Sequence, residues 1–115
     1  MIDWAQIQQL EEDIGIEDFG EVVTLFMAEV DEAVSELDNT RPNSPDEMAP
    51  ALHFLKGSAY NLGFKTFGDY CSEGESLAQN GRASEVDLEK VISLYTESKT
   101  AFFSQASNHC SFVPD

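Results

Sequence analysis

Apolar residues recur at three- and four-residue spacing in one window after another, and no window sustains the polar/apolar alternation of a strand. The pattern predicts an all-α chain of four or five helices. Asp3 is placed to cap a first short helix whose apolar side is Trp4, Ile7, Leu10 and Ile14, with Gly15 ending it. The second runs from about Asp18 to Asp38, with Val22, Phe26, Val30, Ala33 and Leu37 on one side and acids on the other. Residues 39–43 then form a break rich in oxygen ligands. They lack the alternating acids and the glycine of a calcium loop, so a plain connector is expected.

Ser44-Pro45-Asp46-Glu47 reads as a capping box with proline at its tolerated first position. Pro50 lacks an N–H and disfavours helical geometry at Ala49, so the first turn is expected to be separate or kinked before the helix runs on to about Leu62 and stops near Gly63. A fourth helix spans about Lys65 to Gln79 and ends at Asn80-Gly81. The fifth is expected to start at Ser84, with Asp87 three residues on, and carries Leu88, Val91, Tyr95, Ser98 and Phe102 on one stripe. Short connections between amphipathic helices favour antiparallel neighbours. The expected architecture is an up-and-down antiparallel four-helix bundle with an additional short N-terminal helix as a lid.

At 115 residues the chain has room for one core, so a single domain over 1–115 is expected, with a short flexible tail from about 108. The 22 acidic against 6 basic residues give a formal charge of -16, which argues against nucleic acid and anionic membranes as partners. That charge suits basic partner surfaces, or serves solubility alone. Cys71 and Cys110 form no Cys-x-x-Cys pair and read as free thiols in a reducing compartment. The N-terminus has acids where a signal peptide needs a basic region, and no apolar run approaches ~18 residues. A soluble, cytoplasmic, monomeric and free-standing protein is the expectation.

The informative stretch is Leu52-His53-Phe54-Leu55-Lys56-Gly57-Ser58-Ala59-Tyr60-Asn61-Leu62-Gly63. At roughly 100° per residue, Met48, Leu52, Leu55, Ala59 and Leu62 fall within ~80° of one another, and His53 points ~140° from their middle, toward solvent. Gly57 lies one turn further along that exposed side. Glycine within a helix costs roughly 1 kcal/mol relative to alanine, and beside His53 it would let another protein's backbone approach the imidazole. Lys56, three residues on, can neutralise a phosphoryl group on the ring. An exposed imidazole ordinarily titrates near ~6.5, so an unprotonated nucleophile is available at neutral pH. Tyr60 projects on the His53 side and Phe54 also leaves the buried stripe. Either can belong to a docking surface, and periodicity leaves Phe54 equally free to bury against another helix.

A lone exposed histidine is ordinarily just a surface residue. The combination here is far more specific: His-x-Leu-Lys-Gly-Ser-Ala followed by Leu-Gly resembles the core motif of histidine phosphotransfer (HPt) domains, matching at His53, Leu55, Lys56, Gly57, Ser58, Leu62 and Gly63. The resemblance extends to Cys71 and Glu75 in the next helix, with Gly74 standing where the family usually has an apolar residue. It implies that His53 accepts a phosphoryl group from a receiver-domain aspartate and passes it to a response regulator, within a relay that includes a hybrid sensor histidine kinase. It further implies Lys56 as charge partner, Gly57 as clearance residue, Ser58 as part of the motif, and no cofactor of the chain's own, with magnesium on the receiver. By the same resemblance Glu75 sits where the following helix often presents a polar side chain to the imidazole; read from the sequence, it is equally a solvated acid.

Two other readings compete. A helical adaptor that binds a receiver or kinase without being phosphorylated would keep the docking surface and make His53 dispensable. An ATP-dependent kinase would need a Gly-rich phosphate loop or an Asp-x-Gly-x-Gly motif, and the chain has neither. His109 has no motif around it and is assigned no role, and no Glu-x-x-His or His-x-x-x-His pair suggests a metal site.

Overall fold

The computed structural model of the chain describes residues 1–42 and 44–112. Asp3 caps the first helix, α1 (Trp4–Ile14), by accepting the Gln6 backbone N–H at 3.2 Å, and Gly15, at φ 99°, turns the chain directly into the next. That helix, α2 (Ile16–Thr40), is longer at both ends than its sequence pattern indicates. Its buried residues are Phe19, Val23, Met27, Val30, Val34 and Leu37, while Phe26 and Ala33 are only partly covered. The buried stripe is thus turned by about one position from the expected one, because α2 packs against α1, α3 and α5 together. It ends at Arg41, held in the left-handed region at φ 41°. A non-glycine residue there costs roughly 1 kcal/mol. The Arg41 guanidinium pairs there with Asp38 and with Glu89 at the start of the last helix.

Helix α3 (Pro45–Asn61) runs unbroken through Pro50, so of the two expected outcomes, a separate or a kinked first turn, the separate one does not form. Ser44 is its N-cap, but the side chain makes no capping hydrogen bond, and the capping box is likewise not made. Met48, Leu52, Leu55 and Ala59 form its buried face, continued by Leu62. Gly63 closes the corner at φ 73°; its carbonyl accepts the Asp3 N–H at 2.7 Å, and a Cβ there would lie 2.6 Å from the Asp3 carbonyl oxygen. Helix α4 (Lys65–Gln79) then packs along α3.

The last helix, α5 (Leu88–Gln105), is capped by Asp87, which accepts the Lys90 N–H at 3.2 Å, and not by Ser84, which lies in a 3-10 turn, Ala83–Glu85. Two cap-like residues stand three apart, and the acid next to the apolar run wins. Replacing Asp87 with Ala should therefore cost about 1 kcal/mol. Ser44→Ala should stay within about 0.5 kcal/mol of wild type, both read from urea unfolding midpoints.

Helices α2 to α5 form the bundle, with α1 laid against α2 and α3. Its centre is aromatic: Phe19, Phe64, Phe67 and Phe102 are fully buried. Tyr95 lies among them and donates its hydroxyl to Asp31 at 2.5 Å, where Lys99 also pairs. The segment expected to be a free tail is docked as far as residue 112. His109 stacks on Trp4 at 4.2 Å, the Ser111 N–H bonds to Glu11 at 2.7 Å, and Phe112 is buried against Phe102. Residue 43 of the connector and residues 113–115 of the tail lie outside the described residues. Among the described residues no helix is long and apolar enough to cross a membrane.

Candidate functional site

Because Leu52 and Leu55 anchor α3 in the core, His53 is turned outward, and 69% of its side-chain surface is exposed. It is not free, however. Glu75, from the facing turn of α4, approaches with one carboxylate oxygen 2.8 Å from His53 Nδ1 and the other 2.5 Å from Lys56 Nζ. A carboxylate can only accept, so Nδ1 carries the proton, and in the neutral ring the lone pair is then on Nε2.

Glu75 itself is buried, with 9% of its side chain exposed. Lys56 most of all, with His53 adding, holds its carboxyl below the usual carboxylate range despite the opposing effect of burial, so it stays anionic at neutral pH. Gln79, one turn on, lies 3.5 Å from the same oxygen that meets His53. Of the sequence alternatives for Glu75, contact with the imidazole is the one found, and a freely solvated acid is not.

Gly74 explains how α4 comes this close. A Cβ at that position would lie 2.9 Å from Leu52 Cδ1, tighter than side chains tolerate, with Val86 in ordinary contact at 3.4 Å. The apolar residue expected by resemblance is missing because Leu52 and Val86 fill its space. Beside the imidazole the opposite holds: nothing lies within 4 Å of where a Gly57 Cβ would be, so the surface there is open.

The remaining candidates divide. Tyr60, still 39% exposed, rests its ring over Gly68 of α4 and donates to Asp69 at 2.6 Å, which pushes the phenol up to about 12. Phe54, 44% exposed, lines a shallow groove of about 510 Å³ between α2 and α3 with Ala33, Leu37 and Ala51 and with Glu36 and Glu47. Ser58 is half-buried and about 140° round the helix from His53, so it is not brought to the imidazole. Burial pushes the Cys71 thiol up to about 12, which makes it a packing residue of α4 and a poor nucleophile. His109 is occupied with Trp4. Among the described residues no group of three His, Cys, Asp or Glu side chains stands as a metal would need.

Sequence reasoning did not foresee the Lys56–Glu75 ion pair or the approach of Gln79. The second had a signal, the i,i+4 spacing of Glu75 and Gln79 on one face; the first joins residues on two helices and had none.

The family model described as Hpt domain matches residues 21–101, which takes in most of α2, all of α3 and α4, and most of α5. No curated protein and no solved structure gives a significant match. With His53, Lys56, Gly57 and Glu75 arranged as above inside the matched span, the chain belongs to the Hpt domain family, phosphocarriers of two-component phosphorelays that work with receiver domains and are not themselves kinases.

Proposed function

We propose that His53 is the phosphoacceptor of this chain, and that Nε2 takes a phosphoryl group from the aspartyl phosphate of a receiver domain and yields it to the aspartate of a response regulator. The observation that carries this is the 2.8 Å bond from Nδ1 to a buried carboxylate on a ring that is 69% exposed and whose other nitrogen has no hydrogen-bond partner among the described residues. Such a bond fixes the tautomer in which Nε2 is nucleophilic, before any partner arrives. The electrophile and its magnesium belong to the receiver, whose sources in the relay include a hybrid sensor kinase. Phosphoryl transfer asks mainly for in-line positioning and neutralised charge, and Lys56, on the adjacent turn, is the cation within reach.

Docking is proposed to use the open side at Gly57 and the groove at Phe54. The groove's apolar floor, flanked by Glu36 and Glu47 on a chain of charge -16, favours a partner surface with an apolar centre and basic surroundings. Tyr60 supports it less, being engaged with Asp69. The proposal keeps the protein cytoplasmic and monomeric, with no cofactor of its own.

Gly57 separates docking from chemistry. Gly57→Ala should stabilise the free protein by about 0.4 to 1 kcal/mol, since the added methyl meets nothing and helix propensity improves. Gly57→Leu should accept phosphate from the small donor phosphoramidate at the wild-type rate, yet lose about tenfold or more in transfer from a receiver domain.

The deciding experiment incubates the protein with a panel of phosphorylated receivers and magnesium. An acid-labile, base-stable label is the expected result. No label from any receiver would leave an adaptor that binds without being phosphorylated, and label from ATP alone would overturn the carrier reading.

A further inference from the structure

The carboxylate of Glu75 is shared: one oxygen serves the imidazole and the other Lys56, among the described residues the only cation bonded into the site. We propose that the negative charge of Glu75 keeps the phosphorylated ring of His53 protonated at Nδ1 and thereby keeps its phosphoryl group transferable. This rests on the reading of His53 as phosphoacceptor.

The chemistry follows from bond counting. When the Nε2 lone pair attacks phosphorus, the P–O bond to the donor aspartate breaks and its electron pair leaves with the carboxylate. The product ring bears the phosphoryl group on Nε2 and a proton on Nδ1. In the next step an oxygen of the acceptor carboxylate, or of water, attacks phosphorus and the N–P electron pair returns to Nε2. If Nδ1 has kept its proton the leaving group is neutral imidazole. If Nδ1 has lost it, the leaving group is an imidazolide anion, far more basic and far slower to depart.

The groups that bear on that proton are few. Glu75 faces it from α4, Lys56 lies beside it on α3 and is tied to Glu75, and Gln79 lies against the same carboxylate oxygen from the next turn. Among the described residues no other ion pair enters the cluster. A bare Nδ1 would face the carboxylate lone pair to lone pair, whereas a protonated Nδ1 donates to it, so the carboxylate discriminates between the two forms. A glutamine does not, because its amide can accept from N–H or, turned over, donate to the bare nitrogen. Lys56 works the other way: its charge weakens the hold of Glu75 on the proton.

The test uses the full chain as wild type, Glu75→Gln and Lys56→Met, each phosphorylated with phosphoramidate. Loss of phosphate to water is followed by phosphorus NMR from about pH 6 to about pH 9. Relative to wild type, the pH of half-maximal loss should fall by about one unit in Glu75→Gln, with loss about tenfold slower near the upper end, and should rise in Lys56→Met. These opposite displacements are a readout that a merely structural role would not give, and the Lys56→Met arm keeps the test intact if Glu75→Gln does not fold. Superimposable profiles, or displacements in one direction, overturn the inference while leaving the carrier reading standing. A wild type that takes no phosphate on His53 overturns both.

Discussion

Replacing His53 with Gln should abolish phosphoryl acceptance from every receiver while leaving the unfolding midpoint within about 1 kcal/mol of wild type. The amide nitrogen has no lone pair free to attack, because it is delocalised into the carbonyl, so the loss is complete and not a reduction in rate. The fold should survive because the ring is 69% exposed and takes no part in the core formed by Leu52, Leu55 and Ala59. Glu75 keeps its ion pair with Lys56 in the variant and is not left as a buried charge without a partner. Label counted after incubation with a phosphorylated receiver and magnesium, beside a urea titration of the same preparation, checks both halves. Residual label on the variant would move the acceptor elsewhere in the chain.

The second large effect belongs to a residue that touches no phosphate. Gly74→Val places a branched side chain where Leu52 Cδ1 already stands 2.9 Å from a Cβ; Leu52 is itself fully buried and has little room to turn, so α4 is expected to move away from α3. Overpacking of this kind costs about 1 to 3 kcal/mol, and the valine's gain in helix propensity recovers well under 1 kcal/mol. Because Glu75 is the next residue, the same displacement lengthens its 2.8 Å contact with His53 and releases the ring into both tautomers. Phosphoramidate labelling should then slow by about tenfold, a modest share of what misplaced groups can lose. Gly57→Ala, at a glycine with open space around it, is the control: more stable, with labelling unchanged. The contrast separates a glycine that admits a helix from one that admits a partner, a distinction the sequence does not draw.

What could be read from the sequence follows from the range of the forces involved. The buried stripe of α3 was legible because that helix hides one face and shows the other, so Met48, Leu52, Leu55, Ala59 and Leu62 fix its orientation and put His53 outside. Helix α2 was legible as a helix yet turned by one position, because three neighbours cover it and a single stripe underestimates its buried surface. Caps were the weakest reading. Ser44 and Ser84 carry the right atoms, and Asp87 makes the bond that neither of them makes.

Long-range partners were beyond pattern reading altogether. Phe112 closing on Phe102, His109 stacking on Trp4, and Lys56 meeting Glu75 nineteen residues on depend on how helices are laid together, and no spacing rule along one helix encodes that. The motif located His53, Lys56 and Gly57 by resemblance. What the fold adds is that Glu75 binds the first two at once.

The central claim, that Nε2 of His53 is the atom phosphorylated, is tested most directly by phosphorylating nitrogen-labelled protein with a receiver and magnesium and recording the imidazole nitrogens together with phosphorus by NMR. Phosphorus coupled to Nε2 of His53, with Nδ1 still bonded to hydrogen, is the expected result. Phosphorus on Nδ1 of His53, on His109, or on no histidine would contradict it.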